Sequence, residues 1–532
     1  MPSTVSTPLV TPAHSPPVTE PTTGRRANPW LTLTAVAVGL FMVGLDGSVV
    51  AIANPYIGKD LGASLSELQW VTNSYLLALA AILVLGGKLG DRFGRRTVFL
   101  IGVAGFTLSS VAIGLAGSTE GVIAFRALQG PFGALLMPNT LGLLRAVFPP
   151  KKFGMAVGIW AMVSSVSTAL GPIVGGLLVQ HVSWESVFYI NLPIGVLGLA
   201  FGAFVLPQSK AVAAAGGRFD IAGVLLLAVG MLVLVFPIVQ SESWGWGSPK
   251  TIGMFLLGIA LLVTFGVVEG RREHALLPMR LFRNRSLTVG TVITAVNFFA
   301  LLGSIFYVML YLQNVRGFTP VEAGIRTLPL SLASMLASPL GAALTDRFGP
   351  RLTMTLGMAF QAAASFGLIG LGVHSSYLAM WPSFIGLGLG IGMVMAASSD
   401  AIVGNAPVRD AGVAGGLQGT ALQLGGALGT SVLISVLGSR VGSTLFGSLT
   451  GAGVPDPVAR GLLEAKDAVA MGIAPVPPGI PERVGAAVVE GSGQAFMNGV
   501  HTAALVTGVL CLLGAVLSFL TVRRPEGGQV HH

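Results

Sequence analysis

Long apolar runs, broken by short clusters of glycine, proline and charge, set the pattern of this chain. A helix of about 20 apolar residues crosses a bilayer. Fourteen stretches reach that scale: 31–53, 70–87, 97–116, 121–144, 154–178, 187–206, 221–239, 251–268, 287–313, 323–344, 352–373, 378–403, 411–437 and 499–522. Backbone in lipid must satisfy its own hydrogen bonds, so each is predicted to be a helix. Residues 1–28 are Pro/Thr-rich without an apolar core and read as a disordered tail, not a cleaved signal. Residues 523–532 read as a second tail. The connection 438–498 is polar and Gly/Pro-rich, and is expected to be a long loop with a short helix near 457–470.

An internal repeat organises these spans. Asp91-Arg92-Phe93-Gly94 recurs 255 residues later as Asp346-Arg347-Phe348-Gly349, each after an apolar run. The same offset lays the first span on the ninth and the second on the tenth. The expected fold is therefore an all-α integral membrane protein with 14 transmembrane helices. A six-helix bundle (29–206) and a second one (287–522) flank a linker (207–286) that carries two extra spans. Two repeats around a midplane site form a transporter architecture.

Composition agrees with this pattern. Of 532 residues, 53% are hydrophobic and 10% charged, against about 25% charged in soluble domains. A soluble enzyme is excluded. The single cysteine, Cys511, excludes an internal disulfide framework and a Cys-based zinc site. Lys+Arg number 30 and Asp+Glu 21, a net charge of +9, but the basic residues sort by side, which points to topology rather than nucleic acid. With alternating spans, the side of the N-terminus collects 21 of the 30, and Arg126 lies inside a span. Cytoplasmic loops carry such an excess, so both termini are expected in the cytoplasm, and the skew to 23 arginines over 7 lysines with 74 glycines suggests a GC-rich bacterial genome.

Few residues interrupt the apolar spans, and these are the candidates for chemistry. Asp46 sits mid-span, where a carboxylate costs about 2.5–3.5 kcal/mol. Desolvation disfavours the ionised form of a carboxyl group, so Asp46 is a candidate proton carrier. Arg126 stays protonated and can hold a carboxylate's charge with Gln129. Gly87, Gly90, Asp91, Arg92, Gly94, Arg95 and Arg96, with Asp346, Arg347 and Gly349 in the repeat, combine close backbone approach with charge and suit a cytoplasmic gate. Gly171, Pro172, Gly175 and Gly176 bend a helix and admit a close neighbour. Asn73, Tyr75, Gln129, Asn191, Asn297, Tyr307, Gln418 and Gln423 are polar groups within spans that could line a substrate cavity. No phosphate-binding Gly-x-x-x-x-Gly-Lys-[Ser/Thr] loop occurs, so energy is expected from an ion gradient, with no cofactor and no metal. A membrane-embedded enzyme would need clustered nucleophile–base or metal-ligating groups, which the spans lack.

The segment Gly87-Lys88-Leu89-Gly90-Asp91-Arg92-Phe93-Gly94-Arg95-Arg96 resembles the loop 2–3 signature of the major facilitator superfamily. Arg126-Ala127-Leu128-Gln129-Gly130 resembles its span-4 signature. Gly171-Pro172-Ile173-Val174-Gly175-Gly176 is similar to the span-5 antiporter signature, and Leu45-Asp46-Gly47-Ser48-Val49-Val50 to the first span of the fourteen-span drug:proton antiporters. Ser167 departs from that pattern, where a first glycine is usual. The resemblance implies alternating access in the cytoplasmic membrane and proton-coupled export of amphipathic drugs or antibiotics, as in self-resistance of a producer. Its implied partners are the small-molecule substrate, protons and lipid, with no nucleic acid and a monomeric state. An uptake carrier for a small metabolite would share the fold, but the span-5 signature and the extra pair of spans argue against it.

Overall fold

The computed structural model describes residues 28–63, 65–207, 221–240, 244–245, 247–272, 277, 279–407 and 410–521. The expected tail 523–532, all of the expected tail 1–28 but Asn28, and linker residues 208–220 lie outside these. Among the described residues there is no strand, and fourteen helices of fifteen residues or more follow one another. They are α1 (Pro29–Leu61), α2 (Leu65–Phe93), α3 (Arg95–Gly114), α4 (Thr119–Val147), α5 (Pro150–His181), α6 (Asn191–Val205), α7 (Ile221–Val239), α8 (Pro249–Gly270), α9 (Arg285–Leu310), α10 (Leu328–Phe348), α11 (Pro350–Leu368), α12 (Tyr377–Ser399), α13 (Ala411–Gly451) and α14 (Glu482–Thr521). Eleven helical stretches are long and apolar enough to span a membrane. α4, α7 and α11 fall outside that set. α4 contains Arg126, Gln129, Pro131 and Pro138, and α11 contains Thr353, Gln361 and Ser365, whereas α7 is apolar along all of its 19 residues.

Packing follows the repeat. In α1–α6, α2 packs on α4 and α1 on α5. In α9–α14, α10 packs on α12 and α9 on α13, which are the same pairs eight helices later. The bundles meet where α2 touches α13 and α5 touches α10, and the repeat exchanges these two contacts. The α7–α8 hairpin lies beside one of them, with α7 against both α2 and α13. Leu227, Met231 and Phe265 bury there, and Phe236 meets Trp70 at 5.7 Å.

Two one-residue turns mark the same face of both bundles. Gly94 joins α2 to α3 with φ 97°, and Gly349 joins α10 to α11 with φ 83°. A side chain would be strained at either.

The expected loop 438–498 requires correction. α13 continues to Gly451 and α14 begins at Glu482, with short helices Asp456–Gly461 and Lys466–Ala470 between them. At 1.5 Å per residue, the 41 residues of α13 span about 60 Å, twice the hydrocarbon thickness. The extensions are half polar, which hides them from a hydropathy count, but their apolar stripe is regular. Val441, Leu445 and Leu449 are fully buried, as are Val488 and Ala495 of α14.

Candidate functional site

Asp46 and Arg126 meet at the heart of the first bundle. Arg126 Nη1 donates to Asp46 Oδ2 at 2.6 Å, and the two side chains are 0% and 1% exposed. Gln129, one turn further along α4, aligns with Arg126, accepts from it at 2.7 Å and donates to Asp46 Oδ1 at 3.2 Å. Asn191, at the start of α6, donates to the same oxygen at 2.9 Å. Arg126 Nε also donates to the Val71 carbonyl, and its guanidinium stacks 4.2 Å from the Tyr75 ring of α2. Arg126 therefore does not snorkel to the interface. Ordinary satisfaction of buried polar groups explains the cluster: each charge finds its partner inside the bundle because no water reaches it.

Gln129, Asn191 and Tyr75 were expected in a substrate cavity, and the structure places them around this ion pair instead. Three other candidates have partners within the second bundle. Asn297 accepts from Gln361, Tyr307 donates to Ser304, and Gln418 donates to Ser399. Asn73 and Gln423 are half-buried.

A second constellation spans the two bundles on the face of Gly94 and Gly349. Asp91 Oδ1 accepts from Arg95 at 2.7 and 2.9 Å, and the carboxylate also accepts from the amides of Gly412 (3.2 Å) and Val413 (3.1 Å). These amides open α13, so Asp91 fills donors that a helix N-terminus leaves unsatisfied and meets the positive end of its dipole. Arg95 also donates to Gly142 of α4. Contact is close because Gly87 lies on Gly412, where an added Cβ would sit 2.0 Å from the carbonyl oxygen. Gly90 similarly admits Asn139 of α4. Arg96 donates to the Ala203 carbonyl, and Arg92 and Arg347 lie over Phe93 and Phe348.

The repeat of this device is incomplete. Asp346 is exposed and sits against Gly154 in the first turns of α5. Pro350 stands where the repeat has Arg95, so the partnering guanidinium is missing. Arg145, read from sequence only as a topological charge, crosses the interface and donates to the Gly404 carbonyl at 3.0 Å. Adding the repeat offset to 145 gives Asp400, the residue that opens the same π-helical turn, Asp400–Gly404. That correspondence was the available signal.

On α5, Gly171 and Gly175 bring α1 into contact. Cβ atoms there would meet Ser48 Oγ at 1.8 Å and Val49 Cγ2 at 2.6 Å. Gly176 is buried in the same helix, while the Pro172 side chain lies outside the described residues. Glu322, outside the spans, forms a capping box with Thr319, whose amide and hydroxyl hold its carboxyl below the usual range.

Comparison with known proteins gives a consistent result. Residues 36–430 match the family model of the Major Facilitator Superfamily. The chain is 44% identical over 503 residues to the tetracenomycin C resistance and export protein of Streptomyces glaucescens, covering 94% of this chain and 93% of that one. It is 36% identical over 439 residues to the multidrug resistance protein Stp of Mycobacterium tuberculosis, covering 81% and 80%. Among solved structures, the proton:xylose symporter XylE matches with a TM-score of 0.60 at 14% identity, over 92% of this chain and 94% of that one. At that identity the likeness concerns the fold.

Proposed function

The chain belongs to the Major Facilitator Superfamily, and from that membership we propose that it exports amphipathic antibiotics or drugs in exchange for protons. It is a multi-pass membrane transporter rather than an enzyme. Its likeness to an antibiotic resistance and export protein along nearly the whole chain supports drug export, and self-resistance in a producing bacterium is the setting this suggests. All fourteen long helices are read as spans. α4 and α11 owe their place to the repeat and to packing, and α7 to the apolar run Ile221–Val239 and its packing on α2 and α13. The excess of basic residues puts the face of Gly94 and Gly349 in the cytoplasm of a bacterial cytoplasmic membrane, with the chain acting as a monomer.

The observation that carries proton coupling is the buried Asp46–Arg126 pair. A buried pair is balanced between Coulomb gain and desolvation, so protonating Asp46 frees Arg126 and loosens the contacts among α1, α4 and α6. In the state described, Asp91 and Arg145 hold the cytoplasmic side shut, which is the outward-facing half of alternating access. A gradient of 100 mV supplies about 2.3 kcal/mol per charge, roughly fortyfold accumulation at 1.4 kcal/mol per tenfold.

The test is Asp46→Asn in a pump-deficient host, with membrane abundance matched to wild type. Dye efflux should fall to the level of wild type treated with an uncoupler. Uncoupler-sensitive efflux by the variant at the wild-type rate would remove Asp46 from the mechanism.

A further inference from the structure

The Asp46 carboxylate has donors from two helices, and they differ in kind. Arg126 and Gln129 share α4 and bond to each other, so they move as one group. Asn191 is the only donor contributed by α6 among the described residues. Its amide nitrogen uses both hydrogens, one on Asp46 Oδ1 at 2.9 Å and one on Ser110 Oγ of α3 at 2.8 Å. Ser110 in turn donates to the Phe188 carbonyl at 3.0 Å. Asn191 is fully buried, and its carbonyl oxygen Oδ1 has no hydrogen-bond partner. The titratable groups facing Asp46 are Arg126 from α4 and Tyr75 from α2. α3 and α6 present Ser110 and Asn191, and α5 sets Ser167 against Gly44.

We propose that Asn191 is a positioning residue that senses the protonation of Asp46 and sets where on the pH scale the proton is taken up and released. This rests on Asp46 being the proton site. In the present orientation both amide hydrogens are used, an arrangement suited to an ionised carboxylate. A protonated Asp46 instead needs an acceptor for its O–H. Rotating the Asn191 amide by half a turn presents the unpartnered oxygen to Asp46, and Ser110 can turn its hydroxyl to donate to the same oxygen. An amide is the side chain that can do both, since it carries donor and acceptor on interchangeable arms. The two orientations are not equal in strength. Donation to a charged carboxylate is stronger than a bond between neutral groups, so Asn191 on balance favours the ionised form. Because Asn191 opens α6, just after the break between Ser186–Tyr189 and α6, the amide rotation connects the protonation state to the α3–α6 seam.

The experiment measures proton release when ethidium is added to the purified protein in weakly buffered detergent solution, as a function of pH. Release fades as pH rises through the midpoint of the site. Asn191→Leu, similar in size but without donor or acceptor, should move that midpoint to higher pH by about one unit, a tenfold change in proton affinity. Ser110→Ala, which removes the anchor and leaves the amide, should move it the same way by less, and serves if the first variant does not fold. Asn191→Gln, which restores the amide, should return the midpoint toward wild type. A wild-type midpoint in Asn191→Leu and Ser110→Ala, with amplitude alone reduced, would overturn the proposal. Asp46→Asn measured alongside separates the two ideas. Release that survives in Asp46→Asn refutes the reading of Asp46, whereas its loss there with unmoved midpoints elsewhere refutes the role of Asn191 alone.

Discussion

Asp91 and Asp346 are equivalent by repeat but not by environment, and their variants should differ. Asp91 accepts from a guanidinium and from two amides of another bundle. Charge-assisted bonds of this kind are worth about 1.5–3 kcal/mol each. Asp91→Asn should therefore slow drug turnover in proteoliposomes by about tenfold or more while leaving equilibrium binding of the dye within about twofold. Asp346→Asn, in an exposed residue without the Arg95 equivalent, should change turnover by less than about threefold, in line with weak exposed charge interactions. Equal effects would mean that both loops latch alike. The charged members of the site were legible because each is a lone exception in an apolar span. Gln129 was legible too, one turn from Arg126 on the same helix. Asn191 was singled out only as a cavity residue and Ser110 not at all, because polar residues are scattered through many spans and only the fold brings positions 46, 110 and 191 together.

Helix contacts explain where the chain departs from its signature. Ser167 replaces a usual glycine, and the space comes from the facing helix: an added Cβ on Gly44 would lie 2.1 Å from Ser167 Oγ. The small residue has moved across the α1–α5 contact rather than disappeared. Gly171→Ala places a methyl against Ser48, including its backbone, and should destabilise by about 1–3 kcal/mol, as overpacking does. Gly47→Ala, one residue before Ser48 on α1, meets nothing within 4 Å and should be neutral or stabilising by up to about 1 kcal/mol. Thermal unfolding in detergent, followed by fluorescence of a thiol dye on Cys511, compares them. A melting temperature for Gly47→Ala no higher than that of Gly171→Ala would show that α1 and α5 are not held by shape. The positions of most long helices were legible from apolar runs because lipid selects composition over about twenty residues. The extensions of α13 and α14 were not, since Val441, Leu445 and Leu449 bury one stripe of otherwise polar helices.

The charge inventory of the whole molecule constrains the substrate. A multivalent cation leaving water for a low-dielectric cavity needs several carboxylates in exchange. Among the described residues, Asp46 is the acid at mid-depth, and Arg126 already neutralises it. Asp91 is committed to Arg95 and α13, and Asp346 and Asp400 lie by the face of the Gly349 turn. Glu322 is exposed outside the spans. Where the bundles touch, the contacts are apolar and small, Gly87 on Gly412, Gly416 on Leu83 and Gly158 on Ala342, surroundings that suit a largely apolar small molecule. The preferred substrate is therefore expected to be bulky, largely apolar, and neutral, monovalent or weakly acidic. In proteoliposomes driven by an imposed pH gradient, a neutral polycyclic aromatic and ethidium should be transported at least tenfold faster than a bis-quaternary dication of similar size. Gln423→Glu, which adds a carboxylate at a half-buried position of α13, should narrow that ratio. Faster transport of the dication by the wild-type protein would mean that a carboxylate other than Asp46 reaches the cavity in the inward-facing state.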